Sequence, residues 1–239
     1  MIRGCQGHLS KNVQYDREEM FTPARVDHDE LLDEHDAPRP DMERSLRDLR
    51  RINRWLGGIS VYRRLLRRHS GALRDLAVLD VGAGTADLVS SLPGNAMRVA
   101  LDFKIDHLLY LRDGTPVRRV VGDALRLPFR SGAVDVVTSS HFFHHFDESE
   151  NAAILGEGLR VARKGVMVTD TVRSYVPLLL VRLLAALRLV GRITRFDAPA
   201  SVLRGYTTKE ARRVAEQVPA SRRQVVNAFP YRFGILLWK

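Results

Sequence analysis

Three aspartates stand where strands of an alternating chain run out, and their spacing suggests chemistry. Asp80 closes on the apolar run Ala77–Val81 and is followed by Gly82-Ala83-Gly84-Thr85. Gly82 and Gly84 let the backbone turn tightly and approach a ligand with no Cβ in the way. A helix starting after such a loop offers free N–H groups and positive potential. A pyrophosphate cradle wants a third glycine near Asp87, and Gly82-Ala83-Gly84-Thr85-Ala86-Asp87 has none. A carboxylate at Asp80 would repel a pyrophosphate and suits a cationic ligand carrying an amino group. Asp102 lies 22 residues further on, where an acidic residue can accept hydrogen bonds from ribose hydroxyls. Phe103 beside it can cover one face of an adenine. Asp123, in Gly122-Asp123-Ala124, can accept from an exocyclic amine. A single aspartate is just as often a turn residue. Three on successive strand ends, at the edge where open α/β sheets bind ligands, make a more specific signal.

The elements that must hold these residues follow from periodicity. Strands are predicted at Ala77–Val81, Arg98–Asp102, Arg118–Val121, Val134–Ser139 and Gly165–Thr169, alternating with helices near Ala86–Ser91, Ile105–Leu111 and Glu148–Val161. That alternation implies a parallel sheet with helices on both faces. Ahead of it, Leu46, Leu49, Ile52, Trp55 and Leu56 recur at helical steps until Gly57-Gly58, and a second helix carries Val61, Tyr62, Leu65 and Leu66. After it come a long apolar helix, Tyr175–Val190, a loop, Gly191–Tyr206, and a helix opened by the capping box of Thr207 and Glu210. Gln224–Phe229 and Phe233–Trp238 read as a closing pair of strands. The expected organisation is an irregular or poorly ordered segment 1–40, a helical lid 41–72, and a ligand-binding domain 73–239 with a helical insertion at about 173–206.

The 239 residues carry a net charge of +10. Such a charge attracts anions, but the arginines are spread along the chain and also read as a solvated surface. One cysteine, Cys5, excludes an intramolecular disulfide and any Cys/His zinc framework. No metal is expected. The N-terminus lacks a secretory signal, and Val176–Val190, broken by Arg182 and Arg188, is shorter than the ~20 apolar residues of a membrane span. A cytoplasmic protein follows, with peripheral membrane contact open and a monomer or homodimer equally open.

The run Val78-Leu79-Asp80-Val81-Gly82-Ala83-Gly84-Thr85, with Leu101-Asp102-Phe103, Gly122-Asp123-Ala124, Leu127-Pro128-Phe129 and Val134–Phe146, closely resembles class I S-adenosylmethionine-dependent methyltransferases. The likeness covers about residues 76–170 and is closest to the small-molecule group that includes quinone-biosynthesis enzymes. It implies a Rossmann-like α/β sheet, mostly parallel with a C-terminal antiparallel strand, and S-adenosylmethionine as cofactor. That cofactor carries both a sulfonium and an α-ammonium, which suits Asp80. The resemblance also places Asp80, Gly82, Ala83 and Gly84 around the methionine part, Asp102 on the ribose, Asp123 and Ala124 at the adenine, and Ser140 near the methionine end. Two departures stand out: Ala86 replaces the third glycine of the first motif, and Arg163-Lys164-Gly165 lacks the usual proline. Looser likeness in Arg50–Gly58 and Ser201–Thr207 points to enzymes of polyketide, quinone or phenolic-lipid biosynthesis.

Methyl transfer is an in-line displacement at an activated carbon, so a protein need only align the partners, exclude water and manage one proton. His144 and His145, with His141 beside them, are the candidates for that proton, because histidine titrates near neutral pH. Asp170 and Tyr206 are rivals. Trp55 and Tyr62 are expected to face the acceptor, and Arg54, with Arg51 and Asn53, to reach the cofactor carboxylate or an acidic substrate. The acceptor expected is a hydroxyl of an aromatic, quinone-like or polyketide-derived compound, with carbon methylation as the alternative. A nucleic-acid methyltransferase fits the charge, but Ser139-Ser140-His141-Phe142 stands where many base methyltransferases carry Asn/Asp-Pro-Pro-Tyr/Phe. A nicotinamide-dependent oxidoreductase fits neither Asp80 nor the missing glycine.

Overall fold

The computed structural model describes residues 22–26, 30–32, 38–55, 57–110 and 116–239; Cys5 and Leu56 fall outside them. The elements in chain order are α1 (Arg39–Trp55), α2 (Gly58–Ser70), β1 (Ala77–Val81), α3 (Asp87–Ser90), β2 (Met97–Asp102), α4 (Ile105–Leu109), β3 (Arg118–Val121), β4 (Val134–Ser140), α5 (Glu148–Val161), β5 (Ala162–Thr171), α6 (Tyr175–Ala186), α7 (Arg192–Arg204), α8 (Thr208–Glu216), β6 (Arg222–Ala228) and β7 (Arg232–Trp238). A single 3-10 turn, Phe143–His145, follows β4.

The seven strands lie in the order β3-β2-β1-β4-β5-β7-β6. β1 to β5 are parallel, and β7 runs antiparallel to both β5 and β6. All five residues of β1 are buried, as expected for a strand covered on both faces. Side chains alternate across it. Leu79 and Val81 join Leu101, Val137 and Val168 under α5 and α8. Val78 joins Ala100, Val136 and Met167 under α2 and α3. Asp80 shares the parity of Val78 and therefore points to the α2 face. The chain reverses its order of addition at β1 and β4, so a crevice opens beyond their carboxyl ends, where such sheets bind ligands.

Two outer pieces close over that crevice. α2 itself is core, with Val61, Tyr62, Leu65 and Leu66 buried against the sheet, whereas α1 lies across the opening and packs on α7. The expectation of a loop at Gly191–Tyr206 is corrected, because Arg192–Arg204 is helical. Its interior proline, Pro199, and its weak apolar pattern hide it locally. Tertiary contacts make it: the Asp48 carboxylate accepts from the N–H of Gly191 at 2.6 Å and from Thr194 Oγ1 at 3.3 Å, and Thr194 Oγ1 also bonds Ser45 Oγ at 3.1 Å. An acceptor at a helix N-terminus satisfies donors the helix leaves free.

The described part of the N-terminal segment has no regular structure, yet it is pinned down. Arg25 donates to the carbonyls of Arg204 and Phe146, the N–H groups of Leu31 and Leu32 donate to Asp197, and Lys104 Nζ donates to Leu32 O. No helix among the described residues is long and apolar enough to cross a membrane.

Candidate cofactor and acceptor site

A cavity of about 740 Å³ occupies the crevice, well within the range of small-molecule sites (~300–1,000 Å³). Its floor is built by the strand ends and the loop after β1: Asp80, Gly82, Ala83, Gly84, Asp102, Phe103, Asp123, Ala124 and Ser140 all line it. The sheet register explains the convergence. Asp80 sits level with Ala100 and Thr138, Asp102 with Val121, and Ser140 with Thr169, so all belong to one edge.

Asp80 is buried and accepts from Thr138 Oγ1 at 2.7 Å. The Tyr62 hydroxyl bonds the same Thr138 Oγ1 at 2.9 Å. Burial pushes the Asp80 carboxyl up to about 7; the charges of Asp87 and Asp102 add to the rise, and the Thr138 bond opposes it. This is a carboxylate short of a cation. Ser140 Oγ is buried in the same wall with no hydrogen-bond partner among the described residues. A buried polar atom left unmatched calls for a ligand.

The loop after β1 is held open by backbone geometry. Ala83 N–H donates to Leu101 O at 3.0 Å and Gly84 N–H to Asp102 Oδ2 at 2.8 Å, while Lys104 N–H takes Asp102 Oδ1 at 2.9 Å. Gly82 has φ 65°, and a Cβ there would overlap the Phe142 ring. Gly84 has φ 51° with nothing near its missing Cβ. Ala86 adopts φ 55°, a left-handed conformation that costs a non-glycine residue about 1–2 kcal/mol. Its replacement of glycine is therefore a tolerated strain. Gly82→Ala is expected to lower S-adenosylmethionine affinity at least about tenfold and to depress the melting temperature, because overlap with Phe142 adds to the φ penalty. Gly84→Ala carries the φ penalty alone. Calorimetry and thermal melts of the two variants, if indistinguishable, would contradict this reading of the loop.

The histidines split into three environments. His144 is buried; its Nδ1 meets Asp170 Oδ2 at 3.0 Å and its Nε2 meets Glu30 Oε1 at 3.2 Å. Burial opposes its charge, yet Asp170 and Glu30 outweigh burial and push the imidazole up to about 10. Asp170 is held well below the usual carboxylate range: burial raises it, and the charge and hydrogen bond of His144 overcome that. His141, at φ 53°, bonds the Arg232 guanidinium through Nε2. Burial and then Arg232 push it down to about 3, so its imidazole stays neutral. His145 lines the cavity half-buried, its ring 4.2 Å from that of His144.

Several expectations are corrected. His144 lies between two carboxylates that favour its charged form, which disfavours it as the group that takes a proton. Asp170, 1% exposed, lies behind the wall and orients His144. Tyr206 is buried away from the cavity, donating to Phe146 O at 2.7 Å and accepting from Asn151 Nδ2 at 3.1 Å. Tyr62 lies one layer behind Asp80 with its hydroxyl spent on Thr138. Trp55 is 78% exposed, and neither it nor Arg54 lines the cavity. α1 instead presents Leu46, Leu49, Ile52 and Asn53, the last donating to Asp87 at 3.3 Å. The sequence reading also missed Glu30, Arg232 and the α7 residues Ala198, Ser201 and Val202. The far wall is apolar, made by Leu46, Leu49, Leu180, Val181 and Val202.

The model of a family described as a methyltransferase domain matches residues 78–165. A demethylmenaquinone methyltransferase of Mycolicibacterium vanbaalenii is 42% identical over 89 residues, 37% of this chain and 38% of that protein. One from a Mycobacterium species is 33% identical over 153 residues, 61% of this chain and 64% of that protein. The chain thus spans 38% to 64% of the length of these curated relatives. The crystal structure of an S-adenosylmethionine-dependent methyltransferase from Aquifex aeolicus superposes with a TM-score of 0.58 at 20% identity, over 82% of this chain and 97% of that one. Over residues 78–165 the chain is thus similar to methyltransferase domains, and the superposition shows that it shares the fold of the Aquifex aeolicus structure.

Proposed function

We propose that the protein transfers a methyl group from S-adenosylmethionine to a small hydrophobic acceptor of the quinol type. The observation that carries this is the buried, cation-deficient Asp80 beside the unmatched Ser140 hydroxyl, at the floor of a cavity whose far wall is apolar. The residues present fit the cofactor. Asp80 and Ser140 would hold its methionine end, Asp102 its ribose, and Phe103, Asp123 and Ala124 its adenine. S-adenosylmethionine supplies a methyl made electrophilic by sulfonium.

The chain's own contribution is placement and one proton. The apolar wall of Leu46, Leu49, Leu180, Val181 and Val202 desolvates an aromatic ring and excludes water from it. His145, half-buried on the cavity wall, takes the proton of a ring hydroxyl. The oxygen so exposed, or the ring carbon next to it, is the nucleophile. Because the matched relatives are named for a quinone acceptor, a quinol ring is the acceptor proposed. His144, fixed as a cation by Asp170 and Glu30, holds the loop after β4 and favours the anion that forms. The reaction proceeds in the cytoplasm, with a monomer or homodimer and no nucleic acid.

His145→Gln is expected to lower kcat by about 10²–10⁴, the usual worth of a general base, with S-adenosylmethionine affinity unchanged. Full activity in this variant would move the base elsewhere.

A further inference from the structure

Among the described residues, α6 is the most apolar helix and the least covered. Only Pro177 and Leu178 of its 12 residues are buried. Val176, Leu179, Leu180 and Leu183 stand out from it, with Leu179 70% and Leu183 52% exposed. At about 100° per residue these four positions fall within roughly 100° of arc, a single stripe. Leu187 and Leu189, just past the helix, and Phe196 on α7 extend the exposed apolar surface. Monomeric proteins rarely leave a contiguous apolar patch of this kind unless something docks on it.

The charge along this stretch of sequence is one-signed. From Val172 to Phe196 the chain contains five arginines and not one acidic residue. Arg182, Arg188 and Arg192 are exposed around the patch. Arg44 of α1 lies against Gly191, at the foot of α7. An apolar stripe bordered by arginines is the pattern of a helix lying in the headgroup region of an anionic bilayer. A second copy of the chain would bring the same arginines against themselves, which disfavours a symmetric interface.

The stripe is also continuous with the cavity. Leu180 belongs to both, and Pro177 and Val181 on the same helix line the cavity wall. We infer that α6 and the turn after it dock on an anionic phospholipid surface and open the acceptor side of the cavity toward it. The route for the acceptor rests on the proposed function; the docking does not. An acceptor that partitions into lipid reaches the cavity along α6 without crossing water.

The test is flotation of the full chain with vesicles of phosphatidylcholine containing phosphatidylglycerol, against vesicles of phosphatidylcholine alone. The protein is expected to float with the anionic vesicles and to be released by high salt. Neither residue of the double variant Leu179→Asp, Leu183→Asp lines the cavity. The variant should bind anionic vesicles at least about tenfold more weakly, with an unchanged melting temperature and unchanged S-adenosylmethionine binding. Equal flotation of variant and wild type overturns the inference. So does a wild type that ignores both vesicles, whether it sediments as a monomer or as a dimer that the substitutions dissociate. Turnover of a short-chain, water-soluble quinol separates the two claims. Flotation without any methyl transfer leaves the docking and removes the function; methyl transfer without flotation does the reverse.

Discussion

Asp170→Ala is expected to destabilise the fold by about 3–5 kcal/mol, the range for breaking a buried ion pair on one side. The carboxylate is 1% exposed and accepts from His144 Nδ1 at 3.0 Å, from the N–H of His144 at 3.2 Å and from the N–H of Thr171 at 2.7 Å. His141 Nδ1 lies 3.8 Å away. Removing it leaves an imidazolium facing Glu30 alone and strips the buried Arg232 of a compensating charge. The pH dependence has a definite sign. His144 is raised from 6.5 to about 10, so its contribution to stability is complete below about 6.5 and is lost as pH rises through about 10. Asp170 and Glu30 are both lowered, so theirs is present above the ordinary carboxylate range and is lost in strong acid. The gap between wild type and variant should therefore be widest near pH 5–6.5 and narrow toward pH 10. Urea denaturation across that range measures it, and a gap below about 1 kcal/mol at pH 6 would show that the cluster is not what holds the loop after β4.

Asp80→Asn is expected to weaken S-adenosylmethionine binding about 100-fold, since a charge-assisted contact in a buried site is lost while shape and volume are kept. A raised carboxyl means that the folded protein, without cofactor, holds a proton that the unfolded chain gives up. Wild-type stability should fall as pH rises from the ordinary carboxylate range through about 7, and the asparagine variant should lack that fall. A bound cation reverses the bias and ionises Asp80. Wild-type affinity should then climb between about pH 6 and 8, with a proton released on binding that calorimetry detects in buffers of different ionisation enthalpy. A variant with wild-type affinity, or a wild type whose affinity ignores pH, would mean that Asp80 does not meet the cofactor's positive end.

That Asp80, Asp102, Asp123 and Ser140 would line one cavity was legible because it depends on one short run per strand. An apolar strand puts its last residue at the sheet edge wherever the strand lies in the order, so Asp80, Asp102, Asp123 and Ser140 converge once the sheet is parallel. The acceptor side depends on contacts between distant segments. Glu30 sits in an acidic stretch that reads as solvated, and only the fold brings it to His144 and to Ser201 Oγ at 2.6 Å. α7 carries a proline and a faint apolar pattern, and its first turn is completed by Asp48 of another helix. Trp55 illustrates phase: Leu46, Leu49 and Asn53 share a stripe, and Trp55, two residues further, lies about 200° round the helix from Asn53. Tyr62 and Tyr206 show another limit, since a hydroxyl satisfied in the core has the same sequence signature as one facing a ligand.

The central claim is that this cavity passes a methyl from S-adenosylmethionine to a quinol ring. Incubating the full chain with S-adenosylmethionine carrying a labelled methyl and a set of demethylated naphthoquinols, followed by mass spectrometry and NMR of the extract, tests it directly. The account predicts a product bearing the labelled methyl on a ring hydroxyl or its neighbouring carbon, formed at least about a hundredfold more slowly by the His145→Gln variant at saturating cofactor. A protein that binds S-adenosylmethionine tightly yet labels none of these acceptors would contradict it.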